Sequence, residues 1–150
     1  MSYQNILVGV DGSKQADMAF EKAVDTAKTN DAKLYLLSII NGERYPSTGP
    51  GGYGFVSHSI YDSAEAAGIK AVETDVKVGN AKVELAERYP KENDIDLIII
   101  GATGLNVVGR LLVGSTAAYT IREAPCDVTV VKTNLKNQKL DIKETTYPEM

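Results

Sequence analysis

Two patterns of apolar positions alternate along the chain. Residues 4–10 (QNILVGV) form a short apolar run that stops at Asp11-Gly12-Ser13. Beyond it, Ala16, Ala19, Phe20, Ala23, Val24 and Ala27 fall at i, i+3, i+4, i+7, i+8 and i+11. That spacing predicts a helix with one face packed on something apolar. Ser13 is placed to cap it, because its hydroxyl can accept from a first-turn amide. Lys33 to Ile40 (KLYLLSII) reads as a second strand, and Ile69 to Val78 as a third that mixes alternation with Thr and Val. Asn80 then opens a helix that carries Ala81, Leu85, Ala86 and Tyr89 on one face and is expected to end near Pro90. Ile95 to Ile100 is apolar on both faces, as a central strand covered on both sides should be. A helix from about Val113 to Ala124 stops before Pro125, and Asp127 to Lys132 (DVTVVK) is the fifth strand.

Strand and helix in repeated alternation predict an α/β fold: a mostly parallel sheet with right-handed crossovers and helices on both faces. Two regions fall outside the pattern. Residues 41–58 (NGERYPSTGPGGYGFVSH) hold five Gly, two Pro and three aromatics, which predicts a loop followed by at most a short helix in Ser59 to Ala67. That loop reads either as a plain connection or as a lid whose Tyr45, Tyr53 or Phe55 covers a ligand. Residues 134–150 are polar and without period, so the organisation expected is one domain over 1–133 and a tail over 134–150 that frays or docks on a partner subunit.

Composition narrows the function classes. At 150 residues the chain is sized for one domain, and 16 Lys plus Arg against 20 Asp plus Glu leave a formal charge of −4. An acidic balance argues against nucleic acid, whose phosphates require a basic face. No apolar stretch is long enough for a membrane span, and MSYQN lacks a basic segment followed by an apolar one, so a cytoplasmic location is expected. A single cysteine, Cys126, excludes an intramolecular disulfide and disfavours a cysteine metal site.

In an open parallel sheet, ligands bind beyond the carboxyl ends of the strands. Candidate chemistry should therefore lie at Gly9 to Ser13, at Ile39 to Asn41 and at Gly101 to Ser115. The last segment reads Gly101-x2-Gly104, nine residues, then Gly114-Ser115-Thr116 at a helix start. Glycines allow close backbone approach, and a helix amino end offers free amides and partial positive charge, which suits nucleotide phosphates. A glycine-rich turn in which Ser115 merely caps the helix explains the same residues equally well. Asp11 could accept from a ribose hydroxyl or an adenine amino group, help hold a metal through water, or be a turn aspartate satisfied by local amides. Gly104-x4-Gly109 has P-loop spacing, but Arg110 and Leu111 replace the required Lys and hydroxyl residue, so the motif is rejected. GxGxxG is absent as well.

These segments together resemble the universal stress protein family. The carriers are ILVGVDGS (6–13), DLIIIGATG (96–104), Gly101-x2-Gly104-x9-Gly114-Ser115 and APCDVTVV (124–131), and the likeness runs from about Gln4 to Lys132. The glycine spacing is similar to that of the family's ATP-binding branch. The resemblance implies a Rossmann-like, five-stranded sheet of the adenine nucleotide alpha-hydrolase-like type, with strand order 3-2-1-4-5. It also implies that Asp11, with the backbone at Gly9 and Val10, contacts adenosine and that the backbone of Ile39 pairs with the adenine edge. Ile100, Gly101 and Gly104 would form the ribose and phosphate loop, and Gly114, Ser115 and Thr116 the triphosphate-binding helix start. ATP with Mg2+ or Mn2+ held through the phosphates, and a homodimer through Val128 to Val131, complete what the likeness implies. The short connection after strand two, Ala117 in place of a hydroxyl residue, and the tail beyond Thr133 depart from the family pattern.

Signs of catalysis are few. Phosphoryl transfer needs a positioned nucleophile and cations around the transferred group. His58 sits in the irregular connection, Arg110 reads as a phosphate contact or an exposed loop arginine, and Cys126 reads as a small buried hydrophobe. The reading favoured is an ATP-binding regulatory dimer of the stress response with no catalytic residues. A slow metal-dependent ATPase or self-phosphorylating enzyme, and a nucleotide-independent interaction module, are the alternatives.

Overall fold

The computed structural model describes residues 2–11, 13–40, 61–102 and 114–132. The expected loop at 41–58, the tail at 134–150, and Gly104, Arg110 and His58 lie outside the described residues. In chain order the elements are β1 (Asn5–Gly9), α1 (Lys14–Asn30), β2 (Lys33–Ile40), the helical residues 61–66 (α2), β3 (Val72–Val78), a composite helix α3, β4 (Leu97–Gly101), α4 (Ser115–Glu123) and β5 (Asp127–Val131). Helix α3 is α-wound over Ala81–Val83, π-wound over Glu84–Arg88 and α-wound again over Tyr89–Glu92.

The strands form a five-stranded sheet in the order β3-β2-β1-β4-β5, and each of its four pairings is parallel. This is the expected 3-2-1-4-5 sheet. Strand alternation divides its side chains between two cores. Ile6, Val8, Leu34, Leu36, Leu97 and Ile99 point to one face, where Ala19, Ala23, Val24 and Ala27 of α1 and Ala64 of α2 cover them. Leu7, Tyr35, Leu37, Ile98 and Ile100 point to the other, under Leu85 and Tyr89 of α3 and Ala117 of α4. Alanine dominates the inward stripe of α1, so that helix can approach β1 and β4 closely. Ser13 does cap α1: its hydroxyl accepts from Ala16 N at 3.1 Å.

Two boundaries differ from the sequence reading for physical reasons. The third strand begins at Val72, not Ile69. Gly68 sits at φ +93, where a helix is readily terminated, and Ile69 N closes back on Ala64 O at 3.4 Å. Ile69 is thus a core residue of a helix stop rather than a strand residue. Similarly, Pro90 does not end α3. The π-wound turn restarts the α winding at Tyr89, which leaves Pro90 in a first turn, where a missing N–H costs least. Smaller shifts affect β1, β4 and β5, which run over Asn5–Gly9, Leu97–Gly101 and Asp127–Val131, and α4, of which Ser115–Glu123 is described.

Candidate functional site

A crevice opens where strand order reverses. β1 and β4 run in register from Ile6↔Leu97 to Val8↔Ile99 and then separate. β1 stays with β2, its last bond running from Val10 N to Leu37 O at 2.9 Å, while β4 stays with β5 as far as Gly101↔Val131. Between the diverging ends lies a cavity of ≈ 420 Å³.

One end of the cavity is apolar. Leu37 and Ile39 of β2 and Ala81 and Leu85 of α3 line it. A methyl on Gly9 would come 3.4 Å from Leu85 Cδ1, so the leucine lies directly over the end of β1. In a parallel ladder, alternate residues bond to opposite neighbours. Leu37 bonds toward β1 and Ile40 toward β3, accepting from Gly79 N at 2.8 Å. The N–H and C=O of Ile39 therefore face the side that β1 has left, which aims one donor and one acceptor into the crevice.

The other end is a helix amino terminus. Gly114 is the N-cap of α4, contributes no side-chain cap, and donates from its N to Ala102 O at 2.7 Å. Ser115, Thr116 and Ala117 follow it along the cavity wall. No acidic side chain stands in the first turn of α4, so its partial positive charge is not offset there. Hydroxyls at Ser115 and Thr116 add to these amides a surface suited to an anion. At φ −59 and ψ 156, Gly114 has a backbone that any residue could adopt. A glycine there leaves space rather than supplying an unusual angle.

Asp11 closes a turn and stands at the edge of the cavity. Its Oδ1 accepts from Ser13 N at 2.9 Å, holding the turn into α1, and its exposed carboxylate borders the cavity.

Nine of the ten residues singled out in the sequence line this one cavity: Gly9, Val10, Asp11, Ile39, Ile100, Gly101, Gly114, Ser115 and Thr116. The tenth, Gly104, lies outside the described residues. Ser13 and Ala102, which fall within the candidate segments, line it too, as do Ala117 and, without a site signal in the sequence, Ala16, Leu37, Ala81 and Leu85. Leu37 was within reach, since it lies two residues before Ile39 on the same face of β2. Leu85 is within reach as well, since it shares the apolar face of its helix with Ala81 and Tyr89.

Cys126 is half-buried, and burial, aided by Asp127 and Asp96, pushes its thiol up to about 11. Among the described residues, no group of three or more His, Cys, Asp or Glu could hold a metal ion by itself. No helix among the described residues is long and apolar enough to cross a membrane.

Comparison with known proteins agrees with this architecture. The model of the universal stress protein family matches residues 2–132. A Staphylococcus haemolyticus protein bearing the name universal stress protein is 39% identical over 160 residues, covering 100% of this chain and 93% of the relative. Among solved structures, the universal stress protein UspA from Lactobacillus plantarum has a TM-score of 0.70 and 31% identity, covering 87% of this chain and 98% of its own. A universal stress protein solved in complex with cAMP has a TM-score of 0.72 and 28% identity, with coverage of 88% and 98%. With its sheet order, its switch-point crevice and a family match that spans all the described residues, the chain belongs to the universal stress protein family.

Proposed function

We propose that the protein binds ATP in the cavity between β1 and β4 and acts as a regulatory protein of the stress response, the bound nucleotide biasing its conformation or its choice of partner. One observation carries the reading: a single cavity joins an apolar slot, edged by the backbone N–H and C=O of Ile39, to the glycine-capped amino end of α4. An adenine has a flat apolar body and an edge with one acceptor beside one donor, which complements an N–H beside a C=O. A polyphosphate complements the opposite end. The volume of ≈ 420 Å³ lies in the range of small-ligand sites. The related structure with cAMP supports an adenine nucleotide as the ligand class.

In this reading Asp11 accepts from adenosine, Ile100 and Gly101 flank the ribose, and Gly104, Gly114, Ser115 and Thr116 surround the phosphates. Mg2+ or Mn2+ is held through the phosphates. Two copies pair in the cytoplasm through the β5 edge at Val128 to Val131, and any hydrolysis is slow. Equilibrium dialysis of nucleotide-stripped protein against radiolabelled ATP tests the proposal. Saturable uptake of one ATP per chain is expected, and no uptake would overturn it.

A further inference from the structure

Behind the apolar end of the cavity lies a polar bond that the nucleotide reading does not use. Tyr89 is fully buried in α3, and its hydroxyl donates to Asp75 Oδ2 of β3 at 2.6 Å. The Tyr89 ring meets the Tyr35 ring edge-on, with centroids 6.1 Å apart and planes at 78°. Both partners sit one step from the cavity wall. Asp75 is the register partner of Leu37, so their side chains share one face of the sheet. Tyr35, Leu37 and Ile39 alternate along that same face of β2. On α3, Tyr89 follows Leu85 by one turn, across the π-wound segment.

A phenylalanine would fill the same core space. The hydroxyl adds a directed bond to a carboxylate, which fixes the roll of α3 against the β2–β3 edge more narrowly than packing alone. Leu85 and Tyr89 lie four residues apart and pack into the same core, so a bond that fixes Tyr89 also steadies the wall that Leu85 presents beside Gly9. A binding slot gains affinity and selectivity when its walls are already at the spacing of the bound state.

We propose that the Asp75–Tyr89 hydrogen bond is the positioning element of the base slot, holding Leu85 against Leu37 and Ile39 so that the backbone of Ile39 discriminates adenine from guanine. The inference rests on the nucleotide reading above and assigns Tyr89 and Asp75 a role without ligand contact. Guanine presents its donor and acceptor in the reverse order, so a slack slot costs adenine its advantage.

Titration calorimetry of ATP and GTP on the full-length protein tests this. Tyr89→Phe is expected to bind ATP about tenfold more weakly and to lose a similar factor of its ATP-over-GTP preference. Asp75→Ala should reproduce both losses, and the double variant should add little to either. Asp75→Asn, which keeps an acceptor oxygen, should retain the preference and serves where a harsher variant folds poorly. Tyr3→Phe breaks a hydroxyl–carboxylate bond to Asp127 at the opposite end of the sheet and should leave both readouts at the wild-type level. A folded Tyr89→Phe protein with wild-type ATP affinity and preference would overturn the positioning role, whatever its melting temperature. Wild-type protein that binds no adenine nucleotide would overturn the nucleotide reading itself and this inference with it.

Discussion

Gly101, at the end of β4, meets the first turn of α1 so closely that a methyl on it would lie 2.9 Å from Gln15 Cβ and 3.0 Å from the Gln15 carbonyl oxygen. This glycine is required by the packing of strand on helix, whether or not a ligand is present. Gly101→Ala should therefore destabilise the unliganded protein by about 1–3 kcal/mol, lowering its Tm by roughly 3–10 °C. A thermal melt without nucleotide checks this, and an unchanged Tm would return Gly101 to a role in ligand approach alone.

Gly114 presents the opposite case. Its backbone angles are open to any residue, so Gly114→Val should keep the fold while placing a branched side chain at the anion end of the cavity. Far-UV circular dichroism should be unchanged and ATP uptake lost. Normal uptake would show that the phosphates lie elsewhere.

The turn between β1 and α1 separates stability from binding. Ser13 is buried and caps α1, so Ser13→Ala should cost about 1 kcal/mol of stability. Asp11 is exposed beside the cavity, so Asp11→Ala should act mainly on the ligand, weakening ATP about tenfold. Chemical denaturation and dialysis on both variants read the two effects apart. Equal ATP affinity in Asp11→Ala and the wild type would leave the aspartate only its turn bond to Ser13.

Cys126 supplies a pH test. Its thiol is raised from 9.0 to about 11 in the folded protein by burial first and by neighbouring carboxylates second. As pH climbs from 9.0 toward 11, the unfolded chain releases the proton before the folded one does, so this group's contribution to stability is full below that window and declines through it. Alkylation at pH 8 should be slow in the folded protein and fast in denaturant. Fast labelling of the native protein would contradict the assigned burial.

Much of this arrangement is legible in the chain because its signals are local. Strands such as Leu97 to Ile100 are apolar on both faces, the α1 stripe has helical spacing, and Gly114-Ser115 marks a helix start beyond a strand end. Two features escape for want of a local signal. Pro90 ordinarily stops a helix, and only the π winding before it explains why α3 runs on to Glu92. Gly101 shows a different limit: a glycine beside a presumed phosphate loop reads as ligand space, whereas its neighbour is Gln15 from a helix far earlier in the chain. Tertiary packing sets that requirement, and no pattern around residue 101 contains it.

In the proposed site, backbone amides at the end of β2 and the start of α4 supply most of the grip on the nucleotide. Titration of ATP into 15N-labelled protein measures those amides one by one. Saturable shifts concentrated at Ile39, Ser115, Thr116 and Ala117 are predicted. If those four signals stay in place at saturating ATP while residues elsewhere move, the cavity between β1 and β4 is not where the nucleotide binds.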